Sequence, residues 1–183
     1  LETSLEENLS MISDSIEYLK NRDRKVIFDA EHFFDGYINN PNYSIKVLET
    51  AIKFGADTVV LCDTNGGMLP EKVSEITRIV SETIECQIGI HTHNDTDTAV
   101  ASAIAAYQSG ATHIQGTING YGERCGNANL VSIIANLQLK LGIDCLSKNN
   151  LSRLTELSNF VSETVNRPPF PYSPYVGKNA FTH

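Results

Sequence analysis

The sequence predicts an α/β fold in which a parallel sheet is covered on both faces. Short, almost continuously apolar segments alternate along the chain with segments of helical periodicity, and they lie at 25–29, 58–62, 87–91 and 112–116. Apolar runs of this length are typical of strands buried in a parallel sheet. They begin roughly 25–30 residues apart, which is the size of one strand–helix unit.

Two architectures accommodate four such units. One is an open, doubly wound sheet, and the other is one half of a (β/α)8 barrel, which needs about 250 residues in full. In both, functional side chains gather at the carboxyl ends of the strands. Polar groups follow every predicted strand: Asp29 and Glu31, Asp63 and Thr64, His91 and His93, and the loop 119–127.

The helical segments carry recognisable start and stop signals. Helices are predicted at 5–19, 43–54, 70–84, 98–109, 129–141 and 150–165. Ser4 with Glu7 forms a capping-box pattern before the first helix, and Pro70 occupies a first-turn position. Gly55 and Gly110 end two helices, each followed by a short turn and a strand. A loop rich in Asn and Gly is expected between the first strand and the helix at 43–54.

The chain changes character after residue 146. Beyond the helix predicted at 150–165, the segment 167–174 contains four prolines. Because proline cannot continue a helix and restricts the residue before it, this segment is predicted to be an extended linker.

Composition limits the possible classes of function. The chain has 183 residues, 41% of them hydrophobic and 20% charged, with a formal net charge of −8. This charge argues against a nucleic-acid or anionic-membrane surface, which needs clustered Lys and Arg. No apolar run approaches the length of a membrane span. Four scattered cysteines without a CxxC pair indicate reduced thiols, and hence a cytoplasmic protein. The first residues lack a basic region and a Met, so we expect no signal peptide and a chain that starts within a longer protein.

His91 and His93 form the most informative pair. In a strand, side chains at i and i+2 point to the same side, so both imidazoles leave the end of one strand together. Neutral imidazole binds zinc, manganese or iron, and two such ligands leave coordination positions open for substrate. The alternative is a pair hydrogen-bonded to backbone. Asn94 and Asp95 are expected to cap the following helix, or to orient an imidazole.

The loop 119–129 is the second informative element. Three glycines permit tight turns, and Glu123 and Arg124 place charge over the strand ends. Asn127 could offer an amide oxygen to a metal, but its residue type favours a helix cap. Cys125 is expected to be exposed and without a base that would activate it.

Acidic and hydroxyl groups follow the first two strands. Asp29 and Glu31 share a side at i and i+2, so either carboxylate is a candidate ligand or general base, unless this is only a solvated acidic loop. The segment 63–67 lacks the spacing and lysine of a phosphate loop. Thr64 could hydrogen-bond a substrate carboxylate, and otherwise it is part of a turn.

These motifs resemble a known family. The strings HTHND, TINGYGERCGN and NAFTH, at 91–95, 117–127 and 179–183, resemble the 2-isopropylmalate, homocitrate and citramalate synthases of the DRE-TIM metallolyase superfamily. DAEHFFDG at 29–36 and LCDTNGG at 61–67 look most like the citramalate synthase branch. The similarity runs from about residue 26 to the end of the chain, in the family's order.

The resemblance implies a TIM barrel followed by a linker subdomain. We therefore expect a partial barrel domain of about four βα units at 1–146 and the start of the linker subdomain at 147–183. The implied reaction is a Claisen-type condensation of acetyl-CoA with a 2-oxo acid bound to a divalent metal ion, Mg, Mn or Zn. Pyruvate, giving citramalate for branched-chain amino-acid biosynthesis, is the expected substrate. By analogy the relatives predict a homodimer, with no nucleic-acid or membrane partner.

The resemblance also assigns roles to individual residues. His91 and His93 match metal ligands, and Asn127 matches a third position near the metal. Glu31 matches an active-site glutamate, and Thr64 matches a threonine that binds the carboxylate of the 2-oxo acid. Glu123 and Arg124 lie in the loop that closes over the metal and the thioester, so both are predicted to bind substrate.

Some features depart from the family's pattern. The family's acidic metal ligand and its arginine lie in a motif after the first barrel strand, and nothing like that motif is present here. Asp97 stands where relatives usually have Gly, which would alter the start of the next helix. A half barrel alone would expose a sheet edge and apolar lining, so we expect it to be inactive by itself.

Three alternatives to the citramalate reaction follow from these observations. The protein could be an isopropylmalate or homocitrate synthase. It could be a carbon–carbon lyase or aldolase of the same superfamily. It could also be an inactive fragment or an interaction module.

Overall fold

The computed structural model of the protein describes residues 3–182, so His183, the last residue of the NAFTH motif, lies outside the described residues. Within this range the chain forms a four-stranded parallel sheet and eight α-helices. The strands are β1 (Ile27–Ala30), β2 (Thr58–Asp63), β3 (Gln87–Thr92) and β4 (His113–Gln115). The helices are α1 (Leu5–Lys20), α2 (Phe33–Asn39), α3 (Pro41–Lys53), α4 (Pro70–Thr83), α5 (Ala99–Gln108), α6 (Leu130–Lys140), α7 (Lys148–Leu151) and α8 (Leu154–Thr164).

The strands lie in the sheet in chain order, β1-β2-β3-β4, and every pair is parallel. A doubly wound sheet reverses its strand order at a switch point, whereas a barrel adds each strand beside the previous one. The order therefore decides between the two predicted architectures in favour of the barrel type.

The sheet is also curved. Asp29 of β1 and Gln115 of β4 lie on the two outer strands, and three strand spacings would separate them by roughly 14 Å in a flat sheet. The side-chain amide of Gln115 nevertheless donates to Asp29 Oδ1 over 2.9 Å. The two outer strands therefore lean toward each other across a concave face, as strands on an arc of a barrel do.

One face of the sheet packs against helices. Val59 and Leu61 of β2 and Ile88 and Ile90 of β3 join a single buried cluster with apolar side chains of the helices. The alternate residues point to the concave face, where Ile27 remains 43% exposed. The barrel-type arc brings its own strands together on the concave side, where Val60 of β2 is fully buried.

Most sequence signals for helix ends were confirmed. Ser4 Oγ accepts a hydrogen bond from the Glu7 amide, and Pro70 is the first residue of α4. Gly55 and Gly110 have φ of +106° and +112° after the ends of α3 and α5, a conformation that glycine adopts without steric cost.

The segment after β1 differs from its prediction. Residues 33–39 form helix α2 instead of the expected Asn- and Gly-rich loop. Phe33 and Phe34 are almost fully buried, with their rings in edge contact at 5.8 Å between centroids. Burial of these two aromatic side chains outweighs the weak helix propensity of Gly36 and the Asn residues.

The C-terminal segment also differs. The helix expected at 150–165 is divided into α7 and α8, and between them Ser152 Oγ donates to the Asn149 carbonyl, which a continuing helix would use. The segment 167–174, expected to be an extended linker, is non-helical, but turns begin at residue 171 and continue beyond it. Tyr175 donates to Asn136 Oδ1 of α6 over 2.6 Å, which holds this segment against the helix.

A small second core joins α6 and α8. Leu154 of α8 is buried with Val131 and Ala135 of α6. The domain boundary placed after residue 146 remains a prediction. Among residues 3–182, no helix combines the length and the apolar character needed to cross a membrane.

Candidate metal and substrate site

The candidate site lies at the carboxyl ends of the four strands. The register aligns His91 of β3 with Cys62 of β2 and with Gln115 of β4. Residues that follow the strands, among them Glu31, Thr64 and His93, therefore lie at one rim of the sheet. The parallel arrangement alone brings together side chains that are far apart in sequence.

His91 and His93 point to the same side, as their spacing predicted. Their ring centroids are 5.0 Å apart. His93 is buried, at 5% exposure, while His91 is partly exposed. The Nδ1 atom of His93 faces the backbone oxygen of Asp63 at 3.3 Å, and Nδ1 of His91 faces Gln115 Oε1 at 2.8 Å. In both rings, Nε2 is the nitrogen that takes no part in these two contacts.

Asn127 lies directly beside His93. The two residues form an isolated antiparallel bridge, and the flanking backbone bonds Asn94 N–Gly126 O and Ala128 N–Thr92 O hold the loop to the end of β3. Asn127 is 8% exposed. It does not cap α6, because Asn129 does so by accepting a hydrogen bond from the Val131 amide. The interpretation of Asn127 as a cap was therefore wrong.

Glycine makes this approach of the loop possible. A Cβ atom at Gly122 would lie 2.0 Å from Nδ2 of Asn127. Any side chain at 122 would displace the amide from its place beside His93. The Gly-rich character of the loop is therefore a packing requirement at this position.

Glu123 contacts a predicted metal ligand. Its Oε1 atom lies 2.9 Å from Nε2 of His93. The pKa of Glu123 is held below its ordinary value, first by a hydrogen bond from its own backbone amide and then by the neighbouring His93. The Glu123 carboxylate thus occupies the ring nitrogen that a cation at this rim would use.

Arg124 ties the loop to two other strand ends. Its Nε and Nη2 atoms bind the two carboxylate oxygens of Asp95, both over 2.8 Å, and Nη2 also donates to the Thr64 carbonyl over 2.7 Å. The pKa of Asp95 is lowered, chiefly by this side-chain hydrogen bond from Arg124. Asp95 is therefore a loop anchor and not the helix cap that was predicted, whereas Asn94 Oδ1 does accept from the Ala99 amide at the start of α5.

Glu31 and Thr64 form a second pair at the rim. Thr64 Oγ1 donates to Glu31 Oε2 over 2.6 Å and accepts from the His32 amide over 2.7 Å. The hydroxyl is thereby oriented, and its donor faces a carboxylate. A substrate carboxylate that took this hydrogen bond would release Glu31.

The carboxylate of Asp63 has a structural role, and the cysteines differ in their burial. Asp63 is buried and accepts from the Gly67 and Met68 amides, so its carboxylate shapes the turn before α4. Burial raises the pKa of Asp63. Cys125 is exposed, as predicted, whereas Cys62 is buried and Cys86 is partly buried.

The donor set fits a divalent cation in part. Two imidazoles at alternate positions of one strand end, with an amide beside one of them, are ligands that such ions accept. Within residues 3–182, His91 and His93 are not joined by a third His, Cys, Asp or Glu in a metal-binding cluster. This agrees with the missing acidic motif noted in the sequence, so the residues present would supply only part of a coordination shell.

Sequence reasoning missed one site residue and the role of another. Gln115 was treated only as part of a strand, yet it connects His91 to Asp29. The signal that could have found it is register, because Gln115 is the β4 partner of His91. The role of Asp95 toward Arg124 had no local signal, since 29 residues separate the two.

Comparisons with known proteins agree with this fold. The HMGL-like family model matches residues 1–161, and the chain belongs to this family. It is similar to the (R)-citramalate synthase of Aquifex aeolicus (strain VF5), with 59% identity over 184 residues that cover 100% of this chain and 35% of the relative. The homocitrate synthase AksA of Methanopyrus kandleri is 39% identical, over 100% of this chain and 45% of the relative. The chain thus spans about a third of the length of its citramalate synthase relatives.

Solved structures support the barrel-type fold. The HMG-CoA lyase of Bacillus subtilis superposes with a TM-score of 0.79 at 21% identity, covering 91% of this chain and 58% of that chain. The N-terminal domain of a putative aldolase from Bacteroides vulgatus gives 0.71 at 20% identity, over 94% of this chain and 57% of that chain. Likeness at this level of identity concerns the fold alone.

Proposed function

We propose that this chain carries part of the active site of a divalent-metal-dependent acyltransferase, which condenses acetyl-CoA with pyruvate to form citramalate. The observation that carries the proposal is the pair His91 and His93, with rings 5.0 Å apart at the carboxyl rim and Asn127 beside them. Relatives that are 59% and 53% identical and are named (R)-citramalate synthase support the choice of reaction.

Each rim residue has a defined task in this proposal. A divalent cation, when bound, would polarise the ketone of the 2-oxo acid. His91, His93 and Asn127 would hold it. Thr64 would give its hydroxyl hydrogen bond to the substrate carboxylate, and Glu31, released from Thr64, would be the base that takes a proton from the methyl group of acetyl-CoA.

The loop that carries Glu123 and Arg124 would exclude water over the reacting groups. Arg124 fixes the loop by binding Asp95 and the Thr64 carbonyl. Because Thr64 is the proposed partner of the substrate carboxylate, Arg124 also borders that site. Binding of a cation at His93 requires Glu123 to leave Nε2. The predicted substrate contacts of Glu123 and Arg124 are part of this proposal.

The test uses the full-length protein that the gene encodes. Release of free CoA from acetyl-CoA is followed with pyruvate, 2-oxoisovalerate or 2-oxoglutarate, with and without Mn²⁺. We expect turnover with pyruvate that depends on the metal. His91→Ala or His93→Ala should lower kcat/KM by roughly a hundredfold or more, since a Lewis acid supplies several kcal/mol to the transition state.

His113→Asn is the matched control, because it removes an imidazole from the same sheet away from the rim, and it should retain activity. Turnover only with another oxo acid would favour the isopropylmalate or homocitrate synthase alternative. Metal-dependent cleavage of citramalate, 3-hydroxy-3-methylglutaryl-CoA or a related substrate without condensation would favour a lyase. Metal-independent behaviour would reject the proposal. A homodimer and a cytoplasmic location remain predictions.

A further inference from the structure

His91 stands at one end of a short hydrogen-bonded chain across the concave face. Nδ1 of His91 faces Gln115 Oε1 at 2.8 Å, and Gln115 Nε2 donates to Asp29 Oδ1 over 2.9 Å. The three residues belong to β3, β4 and β1. These two hydrogen bonds therefore connect the inner strand that carries the imidazole to both outer strands.

The chemistry of Asp29 decides which group donates and which accepts in both hydrogen bonds. An ionised carboxylate only accepts hydrogen bonds, so the NH₂ group of Gln115 must face Asp29. The amide oxygen of Gln115 then faces His91 and also only accepts. Nδ1 of His91 must therefore carry the proton, and in the neutral ring the lone pair lies on Nε2.

At His93 the partner of Nδ1 is fixed by the backbone, while Nε2 faces the Glu123 carboxylate. The Nδ1 atom of His93 faces the backbone oxygen of Asp63, which only accepts. A backbone carbonyl cannot be rotated or replaced without changing the strand, whereas the partner of His91 is a side-chain amide that could present either end. The orientation of Gln115 therefore depends on Asp29.

We propose that Gln115 and Asp29 are positioning residues that hold His91 as the Nδ1–H tautomer, with Nε2 open to a divalent cation. The cation itself rests on the proposed function, while the tautomer is a property of the metal-free protein. Partners of this kind orient metal-binding imidazoles and increase their basicity, and their loss typically costs 10–100-fold in metal affinity.

The experiment compares single and paired exchanges in the protein as its gene encodes it in full. Gln115→Leu removes the acceptor. Gln115→Glu places two carboxylates side by side, and Asp29→Asn leaves the amide of Gln115 without a defined direction. The double exchange Asp29→Asn with Gln115→Glu restores a donor at 29 and an acceptor toward His91.

Two readouts are used. Nitrogen-15 NMR of the neutral imidazoles gives the tautomer of His91 in the metal-free protein, and calorimetry gives the affinity for Mn²⁺. We expect the Nδ1–H form in the wild type and about 10–100-fold weaker Mn²⁺ binding in Gln115→Leu. Gln115→Glu still offers His91 only acceptors and should keep the wild-type tautomer, so the double exchange should recover the tautomer and most of the affinity that Asp29→Asn alone loses.

Gln87→Leu is the matched control, because Gln87 bridges Thr58 and Thr112 at the opposite end of the sheet and should not affect either readout. An Nε2–H tautomer in the wild type would overturn the proposal. So would a double exchange that is no better than Asp29→Asn alone. If the wild type binds no Mn²⁺, the proposed metal role fails, whereas the tautomer still decides whether Gln115 and Asp29 position His91.

Discussion

At the scale of single residues, some properties of the site depend only on neighbouring residues in the sequence, and others depend on distant ones. The i, i+2 spacing of His91 and His93 correctly predicted that their rings share a side, because strand geometry alone decides this. Which nitrogen of each ring faces the rim depends on Gln115 and on the Asp63 carbonyl, 24 and 30 residues away. A reading of neighbouring residues could not provide that information.

Asp97 has a left-handed backbone conformation that leads to a testable prediction. It has φ of +59° in the turn before α5, and its Oδ1 accepts from Asn94 Nδ2 over 3.3 Å. The left-handed conformation costs a residue with a Cβ roughly 1–2 kcal/mol, less when an Asp side chain bonds locally. The glycine expected at this position in relatives therefore has a conformational reason.

We expect Asp97→Gly to raise the free energy of unfolding by up to about 1 kcal/mol, because glycine removes the Cβ clash. Asp97→Ala, which keeps the Cβ but loses the local hydrogen bond, should lower it. Both are measured by urea unfolding. A loss of stability in Asp97→Gly equal to that in Asp97→Ala would show that the hydrogen bond, and not the backbone conformation, dominates at this turn.

At the scale of elements, Asp57 connects α1 to the first strand of the sheet. Its Oδ2 accepts from the Val26 amide over 2.7 Å, and Lys20 of α1 contacts the same carboxylate at 3.0 Å. The Val26 hydrogen bond, followed by Lys20, lowers the pKa of Asp57 from its ordinary 3.8. The ionised form is thus the one that the folded state prefers.

This preference predicts a pH dependence. Because the pKa is lower in the folded state, the stabilisation is fully present above pH 3.8 and is lost as the pH falls through the folded-state pKa. We expect Asp57→Asn to be less stable than wild type at pH 6, with a difference that shrinks toward pH 2. Asp14→Asn, on the exposed side of α1, is the control. A difference that stays constant with pH, measured by thermal unfolding, would contradict this expectation.

The accuracy of the element predictions follows from how local their causes are. Helices α3 to α6 have periodic apolar faces and punctuation by Pro, Asn or Gly, and each was found in about its observed place. Helix α2 was missed because the burial of Phe33 and Phe34 forms it against a tertiary core. The break between α7 and α8 was missed because it contains neither Pro nor Gly.

At the scale of the whole molecule, the strands differ in burial and in the number of strands with which they pair. Every residue of β2 is buried, and β2 pairs with strands on both sides. Strand β4 has three residues, none fully buried, and pairs only with β3 in the described part of the chain. Local opening requires less free energy where fewer buried contacts are lost.

We therefore expect amide hydrogen exchange to be slowest in β2 and β3, and faster in β1, β4 and α7. The measurement is exchange followed by mass spectrometry on peptides that cover each strand. The segment 167–182 should exchange faster still, because most of its residues are exposed and it belongs to no helix or strand. The contact of Tyr175 with α6 fixes it at one point only. Protection of β4 equal to that of β2 would show that the outer strand is not the weaker part of the sheet.

The sequence by itself determined the alternation of strands and helices, the rim on which polar groups gather, and the shared side of His91 and His93, since periodicity and strand geometry act over a few residues. Only the tertiary structure decided that the sheet is a barrel-type arc, that Asn129 and not Asn127 caps α6, and that Glu123, Arg124, Gln115 and Asp29 meet their partners. Strand order, curvature and contacts between distant residues depend on how the whole chain packs, and no short stretch of sequence contains them.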